Sequence, residues 1–185
     1  NLIRLMESNL FRARELRQLI IEKQPPLFKP VSSAYSLSGP ASQQELNVDQ
    51  RRAIEKVMSA KDYALVLGMP GTGKTTTIAH IIRALVSQGK SVLLASYTHT
   101  AVDNILLKIK DDGIPILRLG AVGKVHTEVQ GFANLGGIPK KTIAELENSY
   151  VNSRVVATTC LGINQPIFNA RIFDYCIVDE ASQIT

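Results

Sequence analysis

The sequence is poor in the residues that build metal centres and covalent cross-links. It holds two cysteines, Cys160 and Cys176, and three histidines. The cysteines lie in separate apolar stretches, with no C-x-x-C spacing and no nearby group of histidines. That excludes a zinc-ligand pattern and a disulfide framework, and leaves two buried core thiols as the expectation. No apolar run approaches the roughly 18 residues that span a bilayer, and Asn1 to Met6 is amphipathic rather than a signal sequence. A soluble intracellular chain with no membrane partner is therefore expected. There is no internal repeat and no low-complexity tract. Position 1 is not methionine, and Ala181 to Thr185 continues a motif without a stop signal, so the chain reads as a piece of something longer.

Apolar residues make up 45% of the 185 positions and charged ones 20%, enough to bury one substantial core with a short extension. The net charge of +5 fits a nucleic-acid partner, although the basic residues are spread along the chain rather than gathered in a block. Residues Leu2 to Glu22 space their apolar side chains as an amphipathic helix does, and Pro25-Pro26 stops it. We read residues 1–24 as a stalk-like helix, 25–45 as an extended Pro-, Ser- and Gly-rich connector, and 46–185 as the main globular domain.

Within that domain Val48 to Ser59 reads as a helix, after which strand-like and helix-like segments alternate. Strands are predicted at Tyr63–Leu67, Ser91–Ser96, Ile116–Leu119, Arg154–Thr159 and Tyr175–Val178, mostly continuous apolar runs of the kind buried on both faces. Helices are predicted at Lys74–Ser87 and Ala101–Lys110. The βαβα order implies a mainly parallel sheet with helices on both faces. Gly120 to Pro139, with five glycines, fits no regular element.

Four blocks carry chemistry. Gly68-Met-Pro-Gly-Thr-Gly-Lys-Thr75 matches G-x-x-x-x-G-K-[ST] between an apolar strand and an amphipathic helix. Such a loop turns backbone N–H groups and a helix N-terminus toward phosphate oxygens. Gly68, Pro70, Gly71, Thr72, Gly73, Lys74, Thr75 and Thr76 are thus the expected ATP cradle, with Lys74 on the β- and γ-phosphates and the Thr75 hydroxyl on Mg²⁺. Phe173 to Glu180 is an apolar strand ending in two acids, Asp179 as magnesium holder and Glu180 as the base that orients water. Gln50 is the choice for reading adenine, since an amide can pair with N6 and N7. Ser96 to Asn104 follows a strand and opens a helix; Thr98, His99, Thr100 and Asn104, with Thr158 and Thr159, are the expected contacts to nucleic-acid phosphates, the rival being an ordinary helix cap with Thr100 as N-cap.

Taken together, these blocks resemble the superfamily 1B helicases: Gln50, the Lys74 loop, Thr98-His-Thr-Ala-Val-Asp-Asn104, Ala157-Thr-Thr-Cys-Leu-Gly162 and Asp179-Glu-Ala-Ser-Gln183 occur in that family's order. Within the family, Asn47 to Lys108 is most similar to the eukaryotic branch that joins a helicase to a nuclease in DNA replication and repair. The resemblance implies a P-loop NTPase of RecA-like fold, the first of two motor domains, C-terminally truncated here. It implies ATP and Mg²⁺ as cofactors, single-stranded and flap or branched DNA as substrate, and 5′ to 3′ movement on Okazaki flaps and resected ends. Gln183 would couple the γ-phosphate to DNA-bound motifs. The whole protein would add an upstream nuclease domain, a second motor domain carrying an arginine finger, and a single-strand-binding protein as partner. Its place would be the nucleus, with the mitochondrion as a second compartment. The fragment alone would be near-inactive, because the finger is worth roughly 10³ to 10⁵ in rate. Two rival readings remain: an RNA helicase of the same superfamily, and a P-loop module that uses ATP as a switch and unwinds nothing.

Overall fold

The structure is a computed structural model, and it describes residues 13–30, 46–133, 142–165 and 167–184. Among the described residues six helices and four strands follow one another: α1 (Ala13–Ile20), α2 (Val48–Ser59), α3 (Lys74–Ser87), β1 (Val92–Ser96), α4 (His99–Ile109), β2 (Ile116–Arg118), α5 (Ile143–Asn152), β3 (Val155–Thr159), α6 (Ile167–Ala170) and β4 (Tyr175–Asp179). Short 3₁₀ turns at Val122–Lys124, Thr127–Phe132, Cys160–Asn164 and Ala181–Gln183 fill the connections. Two of them lie in the glycine-rich stretch after Gly120. Among the described residues no helix is long and apolar enough to cross a membrane.

The strands form one parallel sheet in the order β2-β3-β1-β4. Side chains alternate across it and build two cores. Val92, Leu94, Val155 and Ala157 face α3 and α4 through Ile82, Leu85, Ile105, Leu106 and Ile109. Leu93, Val156 and Leu117 face the other way, against Tyr150 of α5 and Ile167 of α6. Strands covered on both faces need no polar alternation, which is why their sequences are continuous apolar runs. Each fully buried Leu or Ile contributes roughly 1.5–3 kcal/mol.

Helices α2, α4 and α5 begin at side-chain caps. Asn47 accepts from the Gln50 backbone N–H while the Gln50 side chain accepts from the Asn47 backbone N–H, both at 2.9 Å, so α2 opens with a reciprocal capping box. In α4 the cap is Thr98, whose hydroxyl accepts from Ala101 N at 3.2 Å. The helix therefore begins two residues earlier than expected, and Thr100 lies in its first turn rather than at its cap. Of the stalk-like helix, Ala13–Ile20 is helical, and residues 1–12 lie outside the described residues. The connector is described at 25–30, where Phe28 bridges Ala60 and lies beneath Lys56 Nζ at 3.4 Å; residues 31–45 lie outside.

Two expectations are corrected. Tyr63–Leu67 forms no strand. Leu65 is 87% and Leu67 95% exposed, and a strand exists only with a neighbour to share its ladder. β4 is the edge of the sheet on that side, and its outer edge pairs with nothing among the described residues. The same position overturns the buried-thiol reading: Cys176 lies on β4 and is exposed, Cys160 sits half-buried in the turn after β3, and both thiols are free. Desolvation still pushes both thiols above their ordinary pKa, so neither is a ready nucleophile.

Candidate functional site

At the carboxyl end of the sheet the register puts Ser96, Thr159 and Asp179 level with one another on β1, β3 and β4. The loop Gly68 to Gly73 and the N-terminus of α3 lie at this end. Lys74 Nζ stands 3.0 Å from Glu180 Oε1, joining residues 106 positions apart in the sequence. Both side chains are about one-third exposed. Such a pair adds no more than about 1 kcal/mol to stability, and what it fixes is position.

The loop is shaped by its glycines. Gly73 takes φ +81°, a left-handed conformation, and a Cβ there would press into Gln50 Nε2. At Gly68 a Cβ would lie 2.6 Å from Cγ of Lys74, so the lysine stem folds back across bare backbone. Thr72 closes a turn by donating its hydroxyl to Met69 O at 2.8 Å. Gln50 reaches the loop from α2: its Nε2 donates to Thr72 O at 3.0 Å, while its Oε1 serves the capping box. Gly73→Ala should cost about 1–2 kcal/mol through the left-handed backbone alone, read as a lowered denaturation midpoint of the chain.

Glu180 also adopts a left-handed backbone, at φ +52°, which is uncommon for a residue with a side chain and turns the chain sharply off β4. Asp179, half-buried, has its pKa raised, first by burial and then by the charge of Glu180, with the Glu180 backbone N–H and the Lys74 charge pulling the other way. Two adjoining acids with one lysine leave room for further positive charge. A divalent cation that takes one or two carboxylates plus phosphate oxygens would fit this set, and Thr75 and Asp179 are the side chains that would hold it. Thr75 and Thr76 are half-buried in the first turn of α3. Gln183 is exposed in the turn that follows, its N–H bonded to Glu180 O at 2.9 Å.

The residues expected at nucleic acid divide into two groups. Thr98, Thr100 and Asn104 are exposed along the start of α4, with His99 half-buried among them. Thr158 and Thr159 are 1% and 8% exposed, and the Thr158 hydroxyl donates to Thr159 O while packing on Gly162. Sequence reasoning missed a buried ion pair beside this face, Arg118 to Asp103 at 2.7 Å. Its signal was a lone charge inside the apolar run Ile116-Leu-Arg-Leu119.

Comparison with known proteins follows the same lines. A family model described as an AAA domain matches residues 45–144. The chain is 49% identical over 199 residues to the DNA replication ATP-dependent helicase/nuclease DNA2 of Homo sapiens, covering 100% of this chain and 18% of that protein. It is 49% identical over 180 residues to the DNA replication ATP-dependent helicase/nuclease DNA2 of Saccharomyces cerevisiae, covering 92% of this chain and 11% of that protein. Against the DNA replication ATP-dependent helicase/nuclease JHS1 of Arabidopsis thaliana it is 44% identical over 187 residues, covering 100% and 14%. The chain thus spans less than a fifth of the length of these relatives.

Proposed function

The chain belongs to the AAA domain family, and from that premise we propose that it is the first motor domain of an ATP-dependent DNA helicase/nuclease acting in DNA replication and repair. The observation that carries the reading is the meeting of Lys74 and Glu180 at 3.0 Å, the loop lysine and the acid after the strand sharing one site. The relatives' names, which join ATP, DNA replication, helicase and nuclease, support the substrate and the process.

In this reading ATP lies along Gly68 to Thr76, with Lys74 on its β- and γ-phosphates and Gln50 reading the adenine edge. Thr75 and Asp179 would hold Mg²⁺, which would supply positive charge to the transferring phosphoryl group. Glu180 orients the attacking water and takes its proton, and Gln183 passes the state of the γ-phosphate to the strand-binding face. Thr98, His99, Thr100 and Asn104 meet the backbone of single-stranded or flap DNA; Thr158 and Thr159 support that face from β3. A second motor domain with its arginine finger, an upstream nuclease domain and a single-strand-binding partner complete the machine, which moves 5′ to 3′ in the nucleus. The chain by itself hydrolyses ATP slowly.

The test is strand displacement and ATP turnover by the complete protein, wild type and Lys74→Ala, with single-stranded DNA and RNA as activators. Removing the positioned cation should lower DNA-stimulated turnover roughly 10²- to 10³-fold and abolish unwinding. No unwinding by wild type would favour an ATP switch, and equal stimulation by RNA would overturn the DNA assignment.

A further inference from the structure

The strand-binding face rests on a buried charge pair that ATP chemistry does not use. Arg118 closes β2 with its side chain 0% exposed, and that of Asp103 in α4 is 4% exposed. Charges so placed are tolerable only when their hydrogen-bonding capacity is met, and here the donors are distributed. Nε donates to Asp103 Oδ1 at 2.7 Å, Nη1 to Leu119 O at 2.6 Å, and Nη2 meets His99 Nδ1 at 3.0 Å. The second Asp103 oxygen accepts from the His126 backbone N–H at 2.8 Å, tying in the turn after Lys124.

A guanidinium has donors only and keeps its proton. The His99 nitrogen facing it must therefore be the one with the lone pair, and the ring proton sits on Nε2. Gly120 closes the same edge of the ring, where a Cβ would lie 3.4 Å from both His99 Cε1 and Arg118 Nη1. Among the described residues Nε2 has no protein partner, and it sits in the first turn of α4 beside the exposed Thr98 and Thr100.

The geometry points to Arg118 and Asp103 as positioning residues that lock His99 as the neutral Nε2–H tautomer, a one-sided hydrogen-bond donor to a phosphate of a single DNA strand. The phosphate half of this inference rests on the helicase reading; the tautomer half does not. The groups facing the ring are Arg118 from β2, Asp103 from its own helix and Lys124 from the 3₁₀ turn. Burial, then Arg118, with Lys124 adding to them, lowers the His99 pKa from its ordinary value, and Asp103 opposes. Protonation is thus delayed as pH falls, so strand binding should not tighten between about pH 8 and 6.5, where an ordinary surface histidine would begin to add charge.

The experiment combines long-range proton–nitrogen NMR of the isotope-labelled chain with titration of a fluorescent oligo-thymidine strand by the complete protein. His99→Phe identifies the His99 signals by their loss. The expected result is a single Nε2–H ring in wild type, and a mixed-tautomer ring in Arg118→Met/Asp103→Leu, which removes both buried charges together. His99→Phe should bind the strand roughly 5- to 10-fold more weakly, and His99→Gln, which keeps an N–H₂ near the Nε2 position, should recover most of that loss. A proton on Nδ1, or on both nitrogens at neutral pH, overturns the lock. Unchanged affinity in His99→Phe overturns the donor role. Absence of any strand binding by wild type would instead remove the helicase reading, and the donor role with it, while the NMR still decides the tautomer.

Discussion

Glu180→Gln should lower ATP turnover by the complete protein roughly 10²- to 10⁴-fold while leaving ATP bound, the range that general base catalysis spans. The substitution keeps length, shape and an oxygen that can accept from Lys74 Nζ, now 3.0 Å away. It removes the capacity to take a proton from water. It also removes one of the two adjoining negative charges, whose repulsion helps to hold the Asp179 pKa up. Asp179 therefore stays ionised to lower pH in the variant, and metal-dependent ATP binding should be retained or tightened. Saturating turnover and the affinity of a fluorescent ATP analogue separate the two effects. Turnover within tenfold of wild type would remove Glu180 from the role of base.

The largest expected effect on stability is at Arg118. Arg118→Met leaves Asp103 charged in a site where it is almost wholly enclosed, and breaking a buried pair from one side costs about 3–5 kcal/mol. Replacing both partners, Arg118→Met with Asp103→Leu, removes the orphaned charge and should recover at least half of that loss, although the His126 N–H then loses its acceptor. Denaturant unfolding of the chain measures both. A single variant within about 1 kcal/mol of wild type would mean that water reaches Asp103, contrary to its burial.

Elements whose cause is local were legible in the sequence. α2 and α3 run over the residues expected, because Asn47-x-x-Gln50 carries its own cap and the glycine loop fixes where the next helix starts. The meeting of Lys74 with Glu180 was legible too, since a parallel sheet sends the ends of its strands to one side. What escaped depended on neighbours. Tyr63–Leu67 has the composition of a strand, yet composition does not supply a partner. Thr98 and Thr100 are equivalent as caps on paper, and only the approach of Ala101 N to one hydroxyl decides between them. The role of Arg118 escaped because Asp103 and His99 lie 15 and 19 positions away and adjoin it only after folding.

The level alignment of Ser96, Thr159 and Asp179 makes the hydrogen-bond ladder the ruler of the site. Slipping β4 by one residue would carry the acid about 3.3 Å along the strand and invert it to the opposite surface, away from the lysine. An insertion or deletion deep in the apolar runs, far from Lys74, can therefore part the acid from the lysine by miscounting residues rather than by melting the domain.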